Sequence, residues 1–370
     1  MSDPALSPTA KAPPPTPPPP RPPGGGSLIG RVWRAYAFRR FRRAVLVVFI
    51  VTNAGFFLMR AMPGDPVDVL AGQISQRGVS PVEARALAIQ SLAFDPDAPI
   101  WEQWWEYFSG LATGDMGTSV TQVGVPVSEV ILKVLPWTLF SVGAGVTIAI
   151  TLGLLLGMLM AYRRNSRVDH ALSLIASVMG AIPNYLIAIA LVTLGSTVFG
   201  VIDFLKMRGR YSQGVEVGFN FEFIGDALYH GILPIATYTL ATVGTWMLVM
   251  KAATTEVLGD DYVTVARARG LTDKRIALTY VGRNAVLPLV PQVAIALATV
   301  IGGAILVEQV LAYEGLGLLS LESVNNRDYF VLQGVLVIGT SVVVFTNWIA
   351  DLIYGRLDPR VRVSDAEASR

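Results

Sequence analysis

The sequence predicts an all-α integral membrane protein with about six transmembrane helices. Three observations predict it: an apolar composition, six apolar stretches of spanning length, and basic residues that alternate between successive loops. Hydrophobic residues make up 52% of the 370, charged residues only 15%, and the mean hydropathy is +0.52. So few charges cannot cover a water-facing exterior, which makes lipid the expected solvent. A helix crosses a hydrocarbon core of ~30 Å in ~20 residues. Stretches of that length lie at 44–62, 137–161, 171–199, 231–250, 285–312 and 331–354.

Taken in order, residues 1–27 read as a disordered cytoplasmic tail. The proline run from Pro13 to Pro20 removes backbone donors, Gly24 to Gly26 follow it, and there is no apolar bulk to form a core. A docking site for a proline-reading domain is the other reading of that run. The first apolar stretch is longer than a signal-peptide core and runs into Met62-Pro63-Gly64-Asp65-Pro66 rather than a cleavage site, so it reads as a retained signal anchor. The third is long for one span and carries Pro183, which predicts a tilted or kinked helix, or one that continues beyond the membrane. Residues 28–362 form the transmembrane unit, with an outer segment at 63–136 and a polar loop at 251–284. Residues 363–370 are a second tail.

Orientation follows from Lys and Arg placement. Leaving the 1–27 tail aside, nineteen basic residues lie before the first span, between the second and third, between the fourth and fifth, and after the sixth. Only seven lie in the opposite loops: Arg77, Arg85, Lys133, Lys206, Arg208, Arg210 and Arg327. Both termini are therefore expected in the cytoplasm. The outer segment carries many acids and the run Trp101-Glu102-Gln103-Trp104-Trp105-Glu106-Tyr107-Phe108. Its spacing fits an amphipathic helix near the membrane surface, aromatic packing within a small outer domain, or a stacking platform for sugar rings.

The chain lacks the usual signatures of catalysis. It has no cysteine, no P-loop, no nucleophile elbow and no zinc-protease motif. Its two histidines, His170 and His230, fall on opposite membrane faces in this topology, so they cannot share a metal site. The span interiors hold almost no charge; Arg60, Glu308 and Asp351 sit near span ends. A proton-coupled pump needs an intramembrane acid or histidine relay. A passive path, or a transporter driven by another subunit, remains.

The loop at 251–284 is too long for a simple helix connection. A short helix from Glu256 to Arg269 has acids early and arginines late, which suits the macrodipole. Gly270 supplies a left-handed stop, and Thr272 caps a second helix that runs through Asn284. Periodicity leaves two readings open: a helix pair on the membrane surface, anchored by its basic residues, or a docking surface for a partner protein.

The string Asp261-Tyr262-Val263-Thr264-Val265-Ala266-Arg267-Ala268-Arg269-Gly270-Leu271, followed by Arg283-Asn284-Ala285-Val286-Leu287-Pro288, resembles the coupling loop of ABC importer permeases of the dipeptide, oligopeptide and nickel branch. Other landmarks of that family recur in order: Met62 to Pro66, Gly114 to Ser119, Leu135 to Leu139, Ile182-Pro183-Asn184-Tyr185, Gly302-Gly303, Val307-Glu308, Gly315 to Gly317, Asn326 to Tyr329 and Leu357 to Arg360. Together they cover about residues 28–363. The chain departs from the pattern at Thr264-Val265-Ala266, where an acid-Ala-Ala triplet is general, and at Glu314, where proline is usual.

The resemblance implies a subunit with no catalysis of its own. A second, similar permease would complete a heterodimer in the lipid of a bacterial or archaeal cytoplasmic membrane. Two cytoplasmic ATPase subunits would bind ATP and magnesium, and an extracytoplasmic solute-binding protein would deliver substrate. No cofactor in this chain and no nucleic-acid partner are expected. The coupling residues it implies are Glu256, Asp261, Tyr262, Ala266, Arg267, Ala268, Arg269, Gly270 and Leu271. The structural or pathway residues are Pro183, Asn184, Gly302, Gly303 and Glu308. The cargo would be peptides, or else oligosaccharides or nickel complexes. A stand-alone secondary transporter should show inverted repeats, Gly/Pro-broken spans and buried ionisable groups; Pro183 is present, but with no matching second half.

Overall fold

The computed structural model describes residues 25–61, 64–290, 292–293, 295–297 and 304–357. Among them every regular element is helical, apart from one isolated bridge between Thr118 and Pro126. The predicted tails lie outside the described residues except for Gly25 to Ser27, which belong to the first helix and not to a disordered tail. Gly302, Gly303 and most of the motif from Leu357 to Arg360 also lie outside them.

Four helices are long and apolar enough to cross a membrane unaided: α1 (Gly25–Ala61), α5 (Val127–Tyr162), α9 (Phe221–Leu258) and α15 (Tyr329–Leu357). Two bent pairs raise the number to six if each pair is one span. These are α6 (Arg167–Ala181) with α7 (Asn184–Val192) and its π-helical continuation Thr193–Val198, and α13 (Ala304–Leu311) with α14 (Leu316–Asn325). The third predicted span is thus broken rather than merely kinked. The chain turns by 102° at Ile182-Pro183, where proline cannot donate to the helix ladder and holds Ile182 in an extended conformation.

Helices α5 and α9 contain 36 and 38 residues, about 54–57 Å at ~1.5 Å per residue, so both outrun the hydrocarbon core. Among the described residues they make the most extensive helix contact. Gly145, Gly153 and Gly157 recur on one face of α5, where a Cβ would overlap the Cβ atoms of Tyr238, Trp246 and Met250 on α9. Small residues at helical spacing let two backbones close up in lipid, where helix association depends on packing. Buried Val142, Val146, Ala149, Trp246 and Met247 complete this core.

The segment after α1 forms α2 (Pro66–Ser75), α3 (Pro81–Leu92) and α4 (Ile100–Thr113). Asp65 and Ser80 cap α2 and α3. Val67, Leu70, Ala84, Ala88 and Leu92 bury a small core between those two helices. Helix α4 instead packs along α1. The Trp104 indole donates to Asn53 Oδ1 at 2.9 Å, Tyr107 stacks on Phe56, and Phe108 meets Phe49.

Candidate functional site

The loop between the fourth and fifth apolar stretches departs from the expected hairpin in where its first helix begins and in the cap at Thr272. Helix α9 runs on through Leu258, so Glu256 belongs to its last turn rather than to a separate short helix. Nothing between Lys251 and Leu258 stops a helix; the break comes at Gly259-Asp260. The short helix α10 then spans Asp261–Ala268. Gly270 follows with φ +73°, the left-handed conformation expected of it. Its N–H donates to Arg267 O at 2.9 Å and that of Leu271 to Ala266 O at 3.3 Å. This pair of bonds is a Schellman cap, and Leu271 adds the apolar contact that accompanies it.

Helix α10 has two faces. Val263 and Ala266, three residues apart, are buried with Ile276 and Val281 beneath them. Ala266, expected among the coupling residues, is therefore part of the loop's own core. Asp261, Tyr262, Val265, Arg267, Ala268 and Arg269 remain exposed. Asn284 donates from its amide nitrogen to the Tyr262 hydroxyl at 2.9 Å and to Tyr280 O at 2.8 Å, tying α10 to the segment leading into the next span. Partial burial pushes the Tyr262 phenol above its usual range, so it stays neutral. Beneath α10 the second helix is α11 (Asp273–Arg275), a π-helical stretch Ile276–Gly282 and α12 (Arg283–Val286). Thr272 stands at its N-cap with extended backbone but without a side-chain capping bond.

The same end of α9 is locked to α6. Lys251 Nζ lies 2.5 Å from Asp169 Oδ1 and 3.0 Å from Ser173 Oγ. The other carboxylate oxygen of Asp169 accepts from Asn165 N, while Ser166 Oγ caps α6 through Asp169 N. The residues Ser166-x-x-Asp169 form a legible capping signal, but nothing in the sequence pairs Asp169 with Lys251.

Glu308 is fully buried on α13. Its Oε1 accepts from Thr138 Oγ1 of α5 at 2.6 Å and its Oε2 from Leu318 N at 3.0 Å. Thr138 Oγ1 accepts in turn from Leu316 N at 2.8 Å. The carboxylate thus caps the first turn of α14 from a neighbouring helix, where the macrodipole favours an anion. A Cβ at Gly315 would overlap that carboxylate, so the turn between α13 and α14 closes directly over it. Glu314, the departure from the family pattern, forms an ion pair with Arg210 Nε at 3.1 Å, and Arg210 also donates to Lys133 O.

Pro183 and Asn184 mark the break in the third span. Asn184 Oδ1 accepts from Tyr185 N, which makes it part of the local turn. A second buried acid, Asp328, accepts from Ser119 Oγ, Thr121 N and Thr121 Oγ1, and caps α15 through Val331 N. Asp before an apolar run is a readable cap signal; its union with the 119–121 loop is not. Among the described residues no group of three His, Cys, Asp or Glu side chains is placed to hold a metal ion. Ser212, Asp226 and His230 come together, but Asp226 and Ser212 both approach His230 Nε2, at 3.6 and 3.1 Å. In a catalytic triad the acid must orient the imidazole through Nδ1.

Comparison with known proteins places this architecture. Residues 153–363 match the family described as binding-protein-dependent transport system inner membrane component, and residues 34–137 match the N-terminal region of such membrane components. The chain is 31% identical over 329 residues to the oligopeptide transport system permease protein AppB of Bacillus subtilis (strain 168), covering 88% of this chain and 99% of that one. It is 31% identical over 341 residues to the dipeptide transport system permease protein DppB of Escherichia coli (strain K12), covering 87% and 97%. It is 32% identical over 343 residues to the di/tripeptide transport system permease protein DppB of Pseudomonas aeruginosa (strain UCBPP-PA14), covering 88% and 97%. Its fold is similar to a chain of the MetNI methionine ABC transporter in inward-facing conformations, with TM-score 0.50 and 17% identity over 62% of this chain and 96% of that chain. This chain belongs to the binding-protein-dependent transport system inner membrane component family, the multi-pass permeases of ABC importers.

Proposed function

We propose that this chain is one permease subunit of an ATP-driven peptide importer, with both termini in the cytoplasm and α10 as the helix that docks on an ATPase. The observation that carries the coupling role is the loop at 259–271. A short helix with an exposed basic end is fixed by a Schellman cap and by Asn284, directly beyond the end of α9. Such an element transmits force because its own core, Val263 and Ala266, holds it rigidly to the helices below. Closure of the ATPases on ATP and magnesium would push α10, and the Lys251–Asp169 pair would pass that motion from α9 to α6. The result is rigid-body rocking, a recognised form of alternating access. The peptide names of the three relatives support the substrate class, and a second permease and an outer binding protein complete the pathway.

Purification from native membranes in mild detergent tests this reading. The chain should emerge with a second, similar permease and ATPase chains. Proteoliposomes of that assembly, given the solute-binding protein, should take up labelled di- to oligopeptides only with ATP and magnesium. Uptake without ATP, or a chain that transports alone, would contradict it.

A further inference from the structure

Helix α1 carries a run of arginines where its apolar stretch begins. Arg39, Arg40, Arg42 and Arg43 fall within five residues, Arg31 and Arg34 precede them, and the sequence has no acid between Asp3 and Asp65. Like charges three or four apart on a helix repel, as Arg39 with Arg42, Arg39 with Arg43 and Arg40 with Arg43 must. Helix α15 answers Arg40. The Arg40 Nη1 lies 2.9 Å from Asp351 Oδ2, the only acid on either helix. Phe41 meets Trp348 with ring centroids 5.7 Å apart, and the Trp348 indole donates to Ala37 O at 3.3 Å. Arg42 and Arg43 are exposed, and neither has an acidic partner among the described residues.

Helix geometry joins this charge to an apolar stripe. At about 100° per residue, Arg39, Arg42, Arg43, Leu46, Ile50 and Phe57 fall within about 100° of one another, while Arg40 and Phe41 turn toward α15. Leu46, Ile50 and Phe57 are each more than half exposed. The α4 contacts at Phe49, Asn53 and Phe56 lie to one flank of those three. Depth along α1 is consistent with lipid on both parts. From Arg43 to Ala61 is about 27 Å at ~1.5 Å per residue, close to the ~30 Å of a hydrocarbon core. Sliding α1 outward would draw four arginines into hydrocarbon, which is costly. The arginines therefore stand at one headgroup level and the stripe beside acyl chains.

We propose that Arg42 and Arg43 form a binding site for an anionic phospholipid headgroup, with the acyl chains of that lipid laid along Leu46 and Ile50. A guanidinium group binds phosphate through two parallel hydrogen bonds, and headgroup phosphates lie at this depth. A lipid of net negative charge supplies the counter-charge that α1 and α15 lack. A zwitterionic headgroup brings its own cation and leaves the net charge unchanged. The bound lipid relieves repulsion among the arginines, and so helps to keep the Arg40–Asp351 and Phe41–Trp348 contacts closed. With both termini in the cytoplasm, the site belongs to the cytoplasmic leaflet. The inference rests on α1 crossing the membrane and not on the substrate or the coupling role, so it stands or falls separately from them.

The absence of native cysteine makes the test direct. A fluorophore is attached at Leu46→Cys in the assembled importer, with signal from an assembly carrying the cysteine-free chain subtracted. Nanodiscs hold equal parts of phosphatidylglycerol and phosphatidylcholine, with the acyl chains of one lipid or the other brominated. Brominated phosphatidylglycerol should quench the label more than brominated phosphatidylcholine, and added salt should shrink that preference. Arg42→Gln with Arg43→Gln should abolish it, whereas Arg42→Lys with Arg43→Lys, which keeps the charge, should retain most of it. Equal quenching by the two lipids with both arginines present would overturn the proposal. Weak quenching by both would mean that a protein partner covers the stripe, and would overturn it equally. A preference that survives the glutamine pair would place the anionic site elsewhere and contradict the assignment. If the double variant fails to accumulate, Arg42→Gln alone should weaken the preference, and no change there would contradict the assignment too.

Discussion

At the scale of single residues, buried acids act as anchors for helix ends. Glu308 joins three helices through Thr138 and the first turn of α14. Truncation to alanine strands two or more buried donors, at about 1–3 kcal/mol each. Glu308→Ala should therefore lower the thermal midpoint in detergent sharply. Glu308→Gln should lower it less, because one amide oxygen still accepts while the NH2 group faces other donors. Peptide uptake per folded molecule should survive in the Gln variant; unchanged stability with selective loss of cationic peptides would make Glu308 a substrate contact instead. The sequence marks Glu308 as an acid near a span end, and no more. Its partners Thr138 and Leu318 stand 170 and 10 residues away, a proximity that only tertiary packing creates. Gly270 is the opposite case: a glycine after an arginine-rich turn signals a left-handed cap from local sequence alone, and the structure has one there.

At the scale of elements, helix existence is legible and helix ends are not. Apolar runs locate α1, α5, α9 and α15, because the hydrocarbon selects them. What it does not select is where each helix stops. Helix α5 starts ten residues before the expected span and α9 runs eight residues past it, since polar residues continue a helix as readily as apolar ones. Pro183 reads as a kink in the sequence, yet the turn of 102° depends on what packs around it. The α5–α9 contact gives a test at this scale. Gly153→Val should overpack against Trp246 and Met247 and reduce both abundance and thermal midpoint, since overpacking of a tight contact costs about 1–3 kcal/mol or more. Gly143→Ala on the same helix meets nothing within 4 Å and should be neutral. Equal behaviour of the two variants in a thermal-shift assay would show that close approach of α5 and α9 is not what holds the bundle.

At the scale of the whole molecule, the basic asymmetry between loops gives an orientation that side-chain packing cannot give. A cysteine at Arg164 should resist an impermeant thiol reagent in intact cells, and one at Gln76 should react; both sites are exposed, and Arg164 spares the cap made by Ser166. The reverse pattern would invert the topology and remove the docking role of α10. The central claim is that α10 couples this chain to an ATPase, and Gly270→Val tests it most directly. The left-handed backbone costs a residue with a Cβ roughly 1–2 kcal/mol, and a β-branched one more, while no neighbouring atom lies within 4 Å of the new Cβ. The strain therefore falls on the cap that aims α10 and not on the spans. The control Gly259→Ala changes a position with ordinary right-handed backbone, φ −82°. The measurement is peptide-stimulated ATP hydrolysis by the purified assembly, read beside membrane abundance. The account predicts near-normal abundance, weakened ATPase retention and loss of stimulated hydrolysis for Gly270→Val, with Gly259→Ala close to wild type. A Gly270→Val assembly that keeps its ATPases and hydrolyses at the wild-type stimulated rate would contradict it.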